Sequence, residues 1–226
     1  MKVLGIIPAR GGSKGVEKKN IRLINNKPLI GYTIDAAKES KLLTNFLVTT
    51  DADEIIEVAK KYDCKYQKRT SENAQDKTPI EPVLLEVIEN LEENYDIIIL
   101  LQPTAPARTG EDIDNVIKMF ISDKTTHCVV SVVKLEDIHP ARMYLINDNI
   151  LEPLEKENEK KRRQDLEPVY LRNGCIYAIT TKSFLKNKKL ILDNKKPYIM
   201  PEDKWINIDS ERDVLVAEAL LKYLDY

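Results

Sequence analysis

Short runs of hydrophobic residues alternate along the chain with longer segments in which apolar residues recur every three or four positions. The runs predict buried strands at residues 3–9, 46–50, 64–67, 96–101 and 128–133. The segments between them predict helices over residues 29–41, from residue 53 onward, over 81–90 and over 112–120. Alternating strands and helices are typical of an α/β fold with a mainly parallel sheet covered on both faces.

The pattern changes after residue 134. Residues 143–151 predict a β-hairpin with a polar turn at 147–149, and the mixed charges at 155–163 indicate a solvated, mobile loop. Further strands are predicted at residue 170, at 176–179 and at 198–200, followed by a terminal helix over 209–223. We therefore predict one domain spanning residues 1–226, with a small β-rich insertion at about 135–170.

Composition narrows the functional classes without choosing one. Of 226 residues, 42% are hydrophobic and 32% are charged, which is ordinary for a soluble globular protein, and the net charge of -2 gives no electrostatic reason to expect nucleic acid or an anionic membrane as a partner. The apolar runs are too short to cross a bilayer, so we expect a cytoplasmic location. Three widely spaced cysteines indicate small buried side chains rather than disulfides or a zinc site.

A glycine-rich basic segment, RGGSKG at residues 10–15, directly follows the first predicted strand. Ligands of open α/β sheets bind beyond the carboxyl ends of the strands, and glycines let backbone N–H groups approach phosphate oxygens. Arg10 and Lys14 add positive charge, and Lys19 and Asn20 follow closely. The spacing fits neither a P-loop nor GxGxxG, so a structural turn with solvated lysines is the alternative to a phosphate-binding loop.

Two further segments contain polar residues suited to a ligand. Gln102 ends the most apolar strand, before two prolines that stiffen the backbone, and would face either a cleft or solvent. Asn207 and Asp209 alternate along a predicted strand at 206–209, so both could offer oxygens to Mg²⁺. On spacing alone, however, Asp209 is favoured as the N-cap of the last helix.

The segment at residues 163–177 mixes basic, amide and aromatic side chains. Arg163 would suit a carboxylate, and the amides of Gln164 and Asn173 would suit hydroxyl groups, as in a polyhydroxylated acidic ligand. Taken alone, the segment instead favours a surface hairpin with its turn at residues 173–174.

Together these segments resemble one family. The order and spacing of IPARGGSKG at 7–15, KN at 19–20, LQPT at 101–104, RQ at 163–164 and NG at 173–174 are similar to those of the CMP-sialic acid synthetases, the acylneuraminate cytidylyltransferases. The match extends over nearly the whole chain. It implies a Rossmann-like three-layer α/β sandwich, a homodimer, and a Mg²⁺-dependent reaction in which CTP and a nine-carbon 2-keto sugar acid give a CMP-sugar and pyrophosphate.

The resemblance also implies roles for individual residues. Catalysis would involve Arg10, Lys14 and Asp209, and the metal site Asp209 with Asn207. The CTP-binding residues would be Arg10, Gly12, Ser13, Lys14, Lys19, Asn20 and Arg69. The sugar-binding residues would be Gln102, Thr104, Asn173 and Tyr177, together with Arg142, Arg163 and Gln164, which lie in or near the insertion that reaches across the dimer in this family.

The chain departs from the family pattern at three places. Asn207 stands where an aspartate is common, APAR at 105–108 replaces the usual SPLR, and Ile80 replaces a serine near the base. These departures leave the sugar open, with Kdo, legionaminate and pseudaminate as alternatives to an N-acylneuraminate. A catalytically idle nucleotide-binding or regulatory domain is the alternative from another functional class.

Overall fold

A computed structural model describes residues 1–13, 15–75, 77–135 and 138–225. The strands are β1 Val3–Pro8, β2 Leu23–Ile24, β3 Lys27–Pro28, β4 Asn45–Thr50, β5 Lys65–Lys68, β6 Ile97–Leu101, β7 Cys128–Leu135, β8 Tyr144–Asn147, β9 Ile150–Pro153, β10 Val169–Thr180 and β11 Lys196–Met200. The helices are α1 Leu29–Glu39, α2 Asp53–Lys61, α3 Ile80–Glu89, α4 Gly110–Ser122, α5 Thr181–Asn187 and α6 Glu211–Tyr223.

Seven strands form one central sheet in the order β11-β7-β10-β6-β1-β4-β5. Strands β6, β1, β4 and β5 pair in parallel, as do β11 and β7, whereas β10 runs antiparallel to both of its neighbours. The predicted mainly parallel α/β sheet is therefore confirmed. Because β1 occupies the interior of the parallel part, the loop that follows it emerges near the middle of the sheet edge.

Side-chain alternation along β1 divides the core into two layers, one on each face of the sheet. Val3 and Ile7 pack in the cluster that contains α1, α2 and α4, whereas Leu4 and Ile6 pack in the cluster that contains α3 and α5. Helices therefore cover both faces, which gives the expected three-layer sandwich. A third cluster packs α6 against the β2–β3 hairpin and α1, and thereby brings the residues before α6 to the mouth of the sheet.

The segment between β7 and β10 leaves the central sheet. It contains the β8–β9 hairpin as a separate two-stranded sheet, which confirms the hairpin predicted there. Asp148 and Asn149 form its turn with positive φ angles of 49° and 65°, values that Asp and Asn tolerate well. Several apolar side chains of the hairpin are exposed, among them Ile146 at 72% and Ile150 at 65%.

Two predictions around Asp209 are wrong. Residues 206–209 form no strand; they follow an irregular path on which the Ile208 N–H donates to the Thr104 carbonyl at 2.8 Å. The N-cap of α6 is Ser210 rather than Asp209, and Ser210 forms a capping box with Asp213. The Asp209 side chain is consequently free of the capping role that spacing had favoured.

The surface hairpin favoured at residues 163–177 is also wrong. Strand β10 runs without interruption through residues 173–174, and a register shift between Arg172 and Tyr177 accommodates the extra length as a bulge. The buried Asn173 fills this bulge with hydrogen bonds, so a signal typical of a turn instead belongs to the interior of a strand.

The cysteines behave as the sequence predicts, since Cys64, Cys128 and Cys175 are all buried and free. Among the described residues, no helix is long and apolar enough to cross a membrane.

Candidate functional site

A cleft of about 370 Å³ opens where β1, β5 and β6 end. Eight of the residues singled out from the sequence line it: Arg10, Ser13, Lys19, Asn20, Arg69, Gln102, Thr104 and Asp209. These residues come from segments spread over most of the chain. The fold therefore gathers the expected phosphate-binding, sugar-binding and metal-binding residues into one place.

Close contacts explain why glycines are needed in the loop after β1. The Gly11 N–H donates to Asp51 Oδ1 at 2.9 Å, and a Cβ on Gly11 would lie 2.7 Å from the Ala52 Cβ. A Cβ on Gly15 would lie 2.0 Å from the Asp209 carbonyl oxygen, which no side chain could tolerate. The loop is thus in close contact with the segment after β4 at Gly11 and with Asp209 at Gly15. The absence of a side chain at Gly15 allows the short distance between the loop and Asp209.

Two guanidinium groups lie at the cleft. Arg69 donates through Nη2 to the Thr49 carbonyl at 2.7 Å and through Nε to Thr49 Oγ1 at 3.2 Å. Burial, with a smaller contribution from the charge of Arg10, lowers the pKa of Arg69 to about 10. With this pKa Arg69 remains charged at neutral pH, and the guanidinium of Arg10 lines the same cleft, so this part of the cleft favours a polyanion such as a triphosphate.

Asp209 is the one carboxylate among the described residues that line the cleft. Its Oδ1 accepts from Lys19 Nζ at 2.9 Å, and its Oδ2 accepts from Asn207 Nδ2 at 2.5 Å. The side chain remains 66% exposed. Although the predicted strand is absent, Asn207 and Asp209 do lie side by side, so one carboxylate and one amide oxygen are available at the cleft mouth.

This donor set fits Mg²⁺, which prefers oxygen ligands and retains several waters while binding one or two carboxylates and substrate phosphates. The described residues contain no group of three or more His, Cys, Asp or Glu side chains suited to a metal. A magnesium site here would therefore depend on Asp209 and on the phosphates of the nucleotide.

Arg108 and Gly174 support Gln102, and neither was assigned a role from the sequence. Arg108 is fully buried and donates to the Gln102 carbonyl at 2.5 Å, to Thr33 Oγ1 at 2.6 Å and to the Cys175 carbonyl. Gly174 has a φ of 74°, and a Cβ there would lie 3.3 Å from Gln102 Oε1. The bulge of β10 thus places bare backbone against the Gln102 side chain, which leaves room for a ligand.

Several predicted site residues lie elsewhere. Asn173 is 4% exposed and accepts from Ser131 Oγ at 2.6 Å and from the Cys175 N–H at 3.2 Å, so its polar atoms hold the bulge instead of facing the cleft. Tyr177 is a core residue on the α3 and α5 side of the sheet. Gly12 is not among the residues that line the cleft, and a Cβ on it would meet nothing within 4 Å. Lys14 lies outside the described residues.

The basic residues predicted in the insertion gather around a second cavity. Arg142, Arg163 and Gln164 line this cavity of about 670 Å³ together with Lys134 and His139. It shares no lining residue with the first cleft. Within one chain, the two sets of predicted ligand-binding residues are therefore separate.

One wall of the cleft was assigned only in part from the sequence, which named Arg69 and Ile80 but none of the residues between them. Asn73, Gln75, Thr78 and Pro79, in the loop before α3, line it together with Ile80 and Val83 at the start of that helix. In the sequence this loop is a polar connection without periodicity, which gives no signal of function. Only the parallel order of β1, β4 and β5 shows that it faces the glycine-rich loop.

Comparison with known proteins agrees with this geometry. Residues 4–211 match the sequence profile of a family described as cytidylyltransferase. The chain is 30% identical to a pseudaminic acid cytidylyltransferase of Campylobacter jejuni over 98% of this chain and 97% of that protein. It is 30% identical to an N-acylneuraminate cytidylyltransferase of Escherichia coli over 96% of this chain and 51% of that longer protein.

The fold is also similar to that of a solved enzyme. A CMP:2-keto-3-deoxy-manno-octonic acid synthetase complexed with CTP superposes with a TM-score of 0.76 and 16% identity, over 99% of this chain and 100% of that chain. At this identity the likeness concerns the fold.

Proposed function

Because the chain belongs to the cytidylyltransferase family, we propose that it transfers CMP from CTP to the anomeric hydroxyl of a nine-carbon 2-keto sugar acid and releases pyrophosphate. The observation that most directly supports this reaction is the single cleft in which Arg10, Lys19 and Arg69 converge with Gln102 and Asp209. The cations suit a triphosphate. The Gln102 amide and the nearby bare backbone of Gly174 suit a hydroxylated sugar.

Nucleotidyl transfer depends mainly on positioning and on neutralising charge. In the proposed reaction the sugar hydroxyl oxygen forms a bond to the α-phosphorus while the bond to the bridging oxygen of pyrophosphate breaks. Arg10 would offset charge on the phosphates from the glycine-rich loop, and Lys14 is assigned the same task from the sequence. The hydroxyl proton would leave to solvent, since the described residues that line the cleft include no histidine.

Asp209, with Asn207 beside it, would hold Mg²⁺. When bound, the ion would supply Lewis-acid polarisation of the phosphates. Lys19 donates to the same carboxylate and lines the same cleft, where its charge would also suit the triphosphate.

A homodimer is part of the proposal. The basic and amide groups of Arg142, Arg163 and Gln164 suit the carboxylate and hydroxyls of an acidic sugar. Within one chain, however, these residues line a cavity separate from the first cleft. Exchange of the insertions between two subunits would bring these residues to a cleft. The exposed apolar side chains of the β8–β9 hairpin provide a surface for that contact.

The sugar is best identified by a substrate panel. Pyrophosphate release is measured with CTP, Mg²⁺ and, in turn, N-acetylneuraminate, legionaminate, pseudaminate and Kdo. We expect release with a nine-carbon acid and assign the substrate by the highest kcat/KM. Preference for Kdo would change the sugar class to an eight-carbon acid, and absence of release with every acid would favour a catalytically idle nucleotide-binding domain.

A cytoplasmic location also remains a proposal, which fractionation of cells followed by immunodetection of the protein would test.

A further inference from the structure

Residues 69–75 and 77–79, between β5 and α3, border one side of the cleft, and the sequence assigned a role to Arg69 alone among them. In the sheet order β6-β1-β4-β5, the loop after β1 lies between Gln102, which follows β6, and Arg69, which follows β5. If the phosphates lie at the central loop and the sugar acid beside Gln102, the base of the nucleotide would point toward residues 69–75 and 77–79. Asn73 is a polar member of this wall.

Glu86 on α3 fastens the loop. Its carboxylate accepts from the Thr70 N–H at 2.7 Å, from Thr70 Oγ1 at 3.1 Å and from Asn73 Nδ2. Three donors from two loop residues converge on one side chain. The position of Asn73 at the cleft is therefore set by α3, a regular helix packed on the sheet.

Glu86 is ionised at neutral pH. Its partial burial alone would raise the pKa of the carboxyl, but the hydrogen bonds from Asn73 and Thr70, together with the charge of Arg69, bring this pKa below its ordinary value. An ionised carboxylate accepts hydrogen bonds and donates none.

This chemistry fixes which way the Asn73 amide points. An asparagine side chain has a donating NH₂ end and an accepting carbonyl end. Because the Glu86 carboxylate can only accept, it must face the NH₂ end of Asn73. With the NH₂ end held by Glu86, the carbonyl oxygen Oδ1 is the end left for a ligand in the cleft that Asn73 lines, and it would favour a ligand that donates at this position over one that accepts.

We propose that Asn73, oriented by Glu86, is a specificity-determining residue that recognises the nucleobase through Oδ1. The exocyclic amine of cytosine would donate to this oxygen, whereas uracil presents an oxygen acceptor at the same ring position. Glu86 is a positioning residue that acts through Asn73. The inference rests on the proposed function because it takes a cytidine nucleotide as the substrate.

The test compares kcat/KM for CTP and UTP in the unaltered protein and in the variants Asn73→Ala and Glu86→Gln. Asn73→Ala removes the acceptor. Glu86→Gln keeps the size of the side chain but introduces an amide that can donate to Asn73 Oδ1, so the Asn73 amide is free to reverse. We expect the preference for CTP over UTP to fall about tenfold in both variants, the effect of one desolvated hydrogen bond.

The matched control is Glu89→Gln, which removes a carboxylate from an exposed position of the same helix and should keep the CTP preference of the unaltered protein. General loosening of the loop would lower turnover of CTP and UTP together and leave their ratio unchanged. A ratio that stays at the original value in Asn73→Ala or in Glu86→Gln would overturn the inference.

Equilibrium binding separates this inference from the proposed function. The affinities of the same variants for CTP and UTP are measured by calorimetry without any sugar. If the unaltered protein transfers no CMP to any acid, the proposed function fails. The binding ratio still decides the role of Asn73: a smaller CTP preference in the two variants supports it, and an unchanged preference rejects it.

Discussion

At the scale of single residues, the cleft is shaped by tight contacts to backbone as much as by charged groups. Gly15 and Gly174 allow the backbone to approach Asp209 and Gln102, respectively. The sequence marked the first glycine through its place in a basic loop. The sequence instead predicted a turn at Gly174, because an Asn-Gly pair is typical of turns. The bulge of β10 that contains Gly174 is recognisable only from the pairing of β10 with β7.

Gly15→Ala should destabilise the fold. The added Cβ would lie 2.0 Å from the Asp209 carbonyl oxygen, so the loop or the segment before α6 must shift. We expect a loss of about 1–3 kcal/mol in the free energy of unfolding, measured with urea. Gly12→Ala is the control for stability, since its Cβ would meet nothing within 4 Å, and it should change the free energy of unfolding by less than about 1 kcal/mol. Equal losses in both variants would refute the contact.

Lys14→Ala should lower kcat by on the order of a hundredfold, the scale of losing one contact to charge that develops in the transition state. This expectation comes from the sequence, in which Lys14 stands in the glycine-rich loop beside Arg10. Lys60→Ala, which removes a lysine paired with Glu57 on the exposed side of α2, should leave kcat unchanged. Steady-state pyrophosphate release measures both, and normal turnover in Lys14→Ala would remove this residue from the mechanism.

At the scale of elements, most strands and helices were predictable because each has its own periodicity. Strands β1, β4, β6 and β7 and helices α1–α4 follow the predicted pattern to within a few residues at their ends. The wrong predictions lie where a local sequence pattern is compatible with two different structures. Residues 206–209 alternate like a strand, but α6 and the Thr104 carbonyl hold them in an irregular path.

Ser210→Ala tests the start of α6. Ser210 Oγ donates to Asp213 Oδ2 at 2.9 Å and accepts from the Asp213 N–H, and the Asp209 N–H also donates to that carboxylate. Loss of the cap should cost about 1 kcal/mol of unfolding free energy. Ser122→Ala, at the exposed end of α4, should cost much less. If urea denaturation shows no difference between the two variants, the capping box does not stabilise α6.

At the scale of the whole molecule, the two basic regions of one chain are separate, and the proposed dimer would unite them. The first cleft contains Arg10 and Arg69, and the second cavity contains Arg142 and Arg163. The family resemblance was the only feature of the sequence that predicted a homodimer. A composition with a net charge of -2 gives no sign of locally basic surfaces, because acidic residues elsewhere balance them.

If the protein forms the proposed dimer through the β8–β9 hairpin, Ile146→Lys should convert it to a monomer. Ile146 is 72% exposed, and a buried interface would not accept an unpaired charge there. Sedimentation velocity measures the mass, and turnover should fall with dimer content. Leu215→Lys, at a 68% exposed position on α6, is the matched control and should remain dimeric. A monomeric unaltered protein with full turnover would contradict the exchange of insertions.

The sequence by itself determined the order of most elements, the parallel α/β architecture and the glycine-rich, basic character of the loop after β1. Each depends on residues close together in the chain, where periodicity and glycine spacing act directly. Tertiary structure alone decided which distant groups meet. Lys19 and Asp209 are 190 residues apart, and Arg108 bonds to the carbonyl of Cys175 across the sheet edge. Such pairs are set by the packing of the two core layers and by the need of buried polar groups for hydrogen-bond partners. Neither of these produces a pattern in a local stretch of sequence.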